Sequence, residues 1–119
     1  MIHYGMSIFV YIEWIIEFLS PQENKIFLFD WDEGNSLKSF IKHGIDNFQI
    51  ESSFQDPNMV ILGMQISPFV NEERYAILGI DFKGNLLFVS FTIREGNIRI
   101  ISGRKAHKKE RRLYGKTIR

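Results

Sequence analysis

Four arginines, Arg74, Arg94, Arg99 and Arg104, fall within one strand-forming stretch of the chain, with Glu73 and Tyr75 beside the first of them. Arginine presents a rigid fork of N–H donors that matches phosphate oxygens. Ser90 and Thr92 add hydroxyls to the same stretch. His43 closes a helical run directly before Gly44 and is the one well-placed conventional acid–base side chain. These residue types suit chemistry at a phosphate group.

The charge distribution agrees. The chain has 119 residues and a net charge of only +1. From residue 103 onward, however, eight Lys/Arg face a single acid, Glu110. The total therefore hides +7 after residue 102 and −6 before it. Such asymmetry points to a polyanionic partner, with nucleic acid the first candidate. A solvated basic tail is the plainer alternative. Lys105, Lys108, Lys109, Arg111 and Arg112 are the candidates for tracking a nucleic-acid backbone. The chain has no cysteine, which excludes disulfides and thiolate chemistry. Its histidines show no metal-ligand spacing, so neither a metal nor a cofactor is expected.

The elements that must position these residues can be read in order. Residues 6–19 are strongly apolar, interrupted by Glu13 and Glu17 four apart. They predict a short buried or partner-covered helix. A spanning helix or a signal peptide is not expected, because the two glutamates break the run and no basic leader precedes it. Pro21 should stop the helix. A strand is expected over 26–31. Asn35 or Ser36 is expected to cap a helix over 37–43, and Asp46 a second one reaching residue 54. Strands follow over 59–65, 73–81, 86–94 and 98–104, with a loop over 67–71, and a basic helix ends the chain. This predicts an α+β domain: an antiparallel sheet, two short helices before the meander and a basic C-terminal helix. The division expected is a helical extension over 1–25 and one domain over 26–119.

Taking Lys83-Gly84 as a two-residue loop sets Glu73 opposite Arg94, Tyr75 opposite Thr92 and Ile77 opposite Ser90. Ala76, Leu78 and Ile80 then meet Phe91, Val89 and Leu87 on an apolar face. The turn at Glu95-Gly96-Asn97 leaves a choice. An even loop count puts Arg99 and Ile101 on the side of Arg94; three loop residues put Ile100, Ser102 and Arg104 there instead. Arginines gathered this way repel one another, so their removal should not cost stability. On the last helix, Ala106, Glu110 and Leu113 share a stripe that faces the sheet. Glu110 is thus an acid in need of a partner, and a sheet arginine such as Arg104 is the natural one.

Several pieces together resemble one family. They are Phe29-Asp30-Trp31-Asp32, Lys42-His43-Gly44-Ile45, Glu73-Arg74-Tyr75, and the run from Leu87 to Arg94. The last is the run from Arg99 to Ala106, followed by Lys109-Glu110-Arg111-Arg112-Leu113-Tyr114. In this order and spacing they are similar to the BrnT-type toxins, whose fold is the RelE-like ribonuclease domain. The N-terminal segment lies outside the resemblance and is expected to be dispensable for chemistry. Gly103 stands where the family pattern usually has alanine, and Asn35 where a basic residue is frequent.

The resemblance implies a cytoplasmic ribonuclease toxin of a type II toxin–antitoxin pair. Its partners would be RNA and a BrnA-like ribbon-helix-helix antitoxin, in a homodimer or a toxin–antitoxin hetero-oligomer, with no membrane involved. A non-catalytic nucleic-acid- or antitoxin-binding module is the alternative. RNA can be cut without metal when its own 2′-hydroxyl attacks the adjacent phosphate. Arg74, Arg94, Arg99 and Arg104 are then candidates for clamping that phosphate, with His43 and Glu73 as acid–base groups and Tyr75 as a stacking or proton-donating side chain.

Overall fold

The computed structural model describes residues 2–4, 7–10, 12–20, 26–66 and 73–117. In chain order its elements are strands β1 (Ile2–Tyr4) and β2 (Ser7–Val10), then helices α1 (Glu13–Leu19), α2 (Lys38–His43) and α3 (Asn47–Ser53). Strands β3 (Val60–Ile66), β4 (Arg74–Ile80), β5 (Leu86–Arg94) and β6 (Asn97–Lys105) follow, and helix α4 (Lys108–Thr117) closes the described chain. The six strands make one antiparallel sheet in sequence order. This is the predicted α+β class, with two short helices before the meander and a basic helix after it.

The N-terminus differs from the helix expected over 6–19. Ser7–Val10 is a strand that pairs with the edge of β3, Phe9 opposite Gln65 and Val10 opposite Met64. β-branched and aromatic residues at 8–10 favour that pairing over a helical turn. Helix α1 starts at Glu13 and buries Ile15 and Leu19. The strand expected over 26–31 is a single parallel bridge between Phe29 and Ile98. Neither Asn35 nor Ser36 caps α2; Leu37 precedes it in a left-handed conformation. Asp46 does cap α3, in a reciprocal box with Gln49. The Pro21 stop and the loop over 67–71 lie outside the described residues.

The β4–β5 hairpin is offset by one residue from the expected register. Its loop is Phe82-Lys83-Gly84, with Gly84 at φ 86°. The buried Asp81 carboxylate organises it, accepting from the backbone N–H of Lys83 and Asn85 and from the Gln49 amide. Tyr75 therefore opposes Phe91, Ile77 opposes Val89 and Ala76 opposes Ser90. A one-residue slip exchanges faces. Tyr75, Ile77, Val89 and Phe91 turn inward to a core roofed by Ile15, Leu19, Ile45, Ile50 and Phe54. On the other face Phe9, Leu62, Ala76, Leu78 and Phe88 pack with Ala106, Leu113 and Tyr114 of the α4 region. The Tyr114 hydroxyl anchors that helix by donating to Asp56 at 2.5 Å.

Gly79 shows how tightly α3 sits on the sheet. A Cβ there would run into the Ser53 backbone carbonyl, which cannot swing aside. Gly79→Ala should destabilise the fold by about 1–3 kcal/mol, measured as a shift of the urea midpoint at unchanged m-value. No shift would mean that α3 rides more loosely than drawn. At Gly103 a Cβ would lie 2.8 Å from two Ile50 side-chain carbons, so alanine there would require Ile50 to move.

Strand β6 is the sheet's last strand, and its outer edge is covered rather than left open. Asp30 N–H donates to the Ile98 carbonyl, the Asn35 amide to the Ile100 carbonyl, and the Gly103 N–H to the Ser39 hydroxyl. Buried Asn35 thus satisfies an edge strand, a use distinct from capping.

Candidate active site

The turn between β5 and β6 resolves the open choice of register in an unexpected way. Glu95 and Gly96, both at positive φ, form a two-residue loop that sets Arg94 opposite Asn97 and Thr92 opposite Arg99. The register then shifts by one between Ser90 and Phe91. Beyond it Ser102 opposes Ser90 and Arg104 opposes Phe88. Arg99, Ser102 and Arg104 therefore all fall on the side of Thr92, Ser90 and Phe88.

Helix α4 covers only part of that side. The remainder is a cleft of about 250 Å³. Gln65 from β3, Arg74 from β4, Ser90 from β5, and Ser102 and Arg104 from β6 line it, with Phe9 and Phe88 as its apolar wall and Glu110 at one end. Strands β3, β4 and β5 each contribute one polar side chain and β6 contributes two, at neighbouring register positions. Sequence reasoning does not single out Gln65 or Phe88, and it brings Ser102 to Arg104 only as one outcome of the register choice. Finding them would have required the correct hairpin offset and the irregularity in β6.

Arg104 is firmly held at the cleft. Its Nη1 and Nη2 donate to the two Glu110 carboxylate oxygens at 2.7 and 2.8 Å, and Nη1 also reaches the Lys105 carbonyl at 3.2 Å. The guanidinium lies over the Phe88 ring, 4.3 Å from its centroid. Five guanidinium N–H groups against three bonds leave donors for a phosphate oxygen. Glu110 is 1% exposed and also accepts the His107 N–H at 2.7 Å, which caps the start of α4. Burial alone would push its carboxyl up. The Arg104 fork and the His107 N–H outweigh this and hold it below the ordinary glutamate value.

The other candidates scatter. His43 ends α2 at the β6 edge. Partial desolvation, then the charges of Lys42 and Arg104, lower its pKa, so Arg104 is within electrostatic reach. Tyr75 is 2% exposed in the helix-covered core, with its hydroxyl donating to Glu73. Burial, then Glu73, push that phenol well above its usual value. The expected polar face of Glu73 and Tyr75 against Arg94 and Thr92 is thus corrected by the one-residue offset, and no base can stack on Tyr75. Glu73 is exposed, and its backbone carbonyl accepts from the Thr92 hydroxyl. Arg94 sits at the hairpin tip, six residues along β5 from Phe88, or about 20 Å at strand rise. Arg99 is bound away from the cleft centre, by Asp32 at 2.9 Å and Asp30 at 3.6 Å.

The basic helix presents a separate surface. Lys108, Arg111, Arg112 and Lys116 border a shallow groove of about 510 Å³, while Lys105 and Lys109 are exposed beside it. No helix among the described residues is long and apolar enough to cross a membrane.

Among known families, the model described as a ribonuclease toxin, BrnT, of type II toxin–antitoxin systems matches residues 31–110. No curated protein matches the chain.

Proposed function

The chain belongs to the BrnT family of type II toxin–antitoxin ribonuclease toxins, and on that premise we propose that it cuts RNA in the cleft on the α4 side of its sheet, without a metal ion. The observation that carries this reading is the convergence of Arg74 and Arg104 with Ser90 and Ser102 beside an apolar wall. Two cations and two hydroxyls around one small cleft match the oxygens of a phosphodiester. Phe88, the half-buried ring of that wall, suits a neighbouring base or ribose.

In this mechanism the 2′-oxygen bonds to phosphorus as the bond from phosphorus to the 5′-oxygen breaks. The 2′-hydroxyl loses a proton and the departing 5′-oxygen gains one. The products are a 2′,3′-cyclic phosphate and a 5′-hydroxyl. Arg74 and Arg104 stabilise charge gathering on the non-bridging oxygens, the term that usually dominates such catalysis. His43 serves as the acid–base group. Its lowered pKa keeps a neutral, proton-accepting imidazole available near pH 7. Arg94, toward the hairpin end, contacts flanking RNA, Glu73 holds the Tyr75 hydroxyl, and Arg99 steadies the segment carrying Asp30 and Asp32. Lys105, Lys108, Lys109, Arg111 and Arg112 track the backbone beyond the cleft.

The family supplies an antitoxin as partner and RNA as substrate. We take the antitoxin to be a BrnA-like ribbon-helix-helix protein bound in a hetero-oligomer, and the compartment to be the cytoplasm. The test is end-group analysis. Purified protein in excess chelator should turn a long RNA into fragments ending in 2′,3′-cyclic phosphate. Cleavage that appears only on adding a divalent cation, or that leaves 3′-hydroxyl ends, would overturn the mechanism.

A further inference from the structure

The family match begins at residue 31, yet one wall of the cleft comes from far upstream. Phe9 on β2 is 1% exposed and makes an edge-type ring contact with Phe88, centroids 6.2 Å apart at 64°. The Arg104 guanidinium rests on that same Phe88 ring. Phe9, Phe88 and Arg104 thus form a continuous run of contacts, with Glu110 gripping the guanidinium at its end. Phe9 also opposes Gln65 across the β2–β3 ladder, and Gln65 opposes Arg74 across the β3–β4 ladder. The same strand therefore backs both arginines of the cleft, one through an aromatic contact and one through strand pairing.

We propose that β2, through Phe9, is a positioning element of the active cleft, so that RNA cleavage by this chain depends on a segment outside the region shared with its family. The proposal rests on the cleft being the site of cleavage. Sequence alone suggested that the N-terminal segment is dispensable for chemistry; the placement of Phe9 argues the opposite. The physical reason is that a phosphate clamp works only when its donors are held before the substrate arrives. Phe88 without a ring behind it can tilt, and the guanidinium above it tilts too. Phe9 touches no substrate and acts through Phe88 and Arg104.

The test compares Phe9→Leu with Leu62→Val. Leu62 belongs to the same buried cluster but lies away from the cleft lining. Leucine at position 9 keeps an apolar side chain and removes the ring. Three readouts are taken on the full chain: the melt, single-turnover cleavage at saturating RNA, and the NMR shift of the Arg104 Nε–H, which the Phe88 ring current displaces. Phe9→Leu should melt cooperatively, cut about tenfold or more slowly at saturation, and move the Arg104 resonance toward its unshifted position. Leu62→Val should lose comparable thermal stability while keeping the rate and the resonance. An unmoved Arg104 resonance in Phe9→Leu, or an equal rate loss in Leu62→Val, would overturn the proposal. A moved resonance in a protein whose parent cuts no RNA would leave the positioning intact and sink the proposed function instead.

Discussion

Replacing Arg104 with alanine is expected to destabilise the protein by about 3–5 kcal/mol, because it strands the Glu110 carboxylate in the sheet–α4 interface without its cation. The sequence reading expected arginines so placed to cost nothing on removal. The structure reverses that sign, since Arg104 faces an acid that is 1% exposed rather than another cation. The pH dependence gives a sharper signature. In the parent, Glu110 sits below the ordinary value of 4.5, so its contribution is complete above that pH and is lost as pH falls through the folded value. In Arg104→Ala, burial is left to dominate and the carboxyl moves up. The variant then gains stability on acidification while the parent loses it, and the gap between them narrows toward pH 4.5. Urea unfolding at pH 7 and pH 4.5 checks both. A loss under about 1 kcal/mol, or a gap that ignores pH, would mean that the pair is a surface ion pair of little weight.

Replacing Arg74 with alanine is expected to separate chemistry from stability. Arg74 is half-buried on β4 at the cleft, with Gln65 opposite it on β3. Loss of one preorganised donor of this kind costs about 10²–10³-fold in rate. Stability should stay within about 1 kcal/mol of the parent. Single-turnover cleavage in chelator and a thermal melt on the same sample measure the two. A parental rate would remove Arg74 from the site. A collapsed melt would make it a structural residue.

Much of the fold was legible because the strands announce themselves locally. Leu86–Arg94 falls where alternation and β-branched residues put it, and Asp46 caps α3 as its position before the helix suggests. Register was not legible. The difference between a two-residue and a three-residue loop at 82–84 lies in how the buried Asp81 carboxylate folds the turn, a contact that needs Gln49 from another element. That one residue moved Tyr75 from the expected site into the core. The site was half legible for the same reason. Residue type singled out Arg74 and Arg104, and the buried position of Glu110 followed from the helix stripe. The roles of Phe88, Ser102 and Gln65 depended on the shift in β6 and on pairing between distant strands. Phe9 was out of reach, since an apolar run broken by two glutamates reads as a helix until β3 offers it an edge.

The central claim is that RNA is held in the cleft between α4 and the exposed part of the sheet. Photocrosslinking tests it most directly. A non-cleavable RNA, 2′-O-methylated at every position and carrying 4-thiouracil as its photoreactive base, would be irradiated on the intact protein and the crosslinked peptides mapped by mass spectrometry. The account predicts crosslinks in the peptides that contain Phe88, Ser102 and Arg104, suppressed by the Arg74→Ala substitution. Crosslinks confined to α1 and α3, with those peptides untouched, would contradict it.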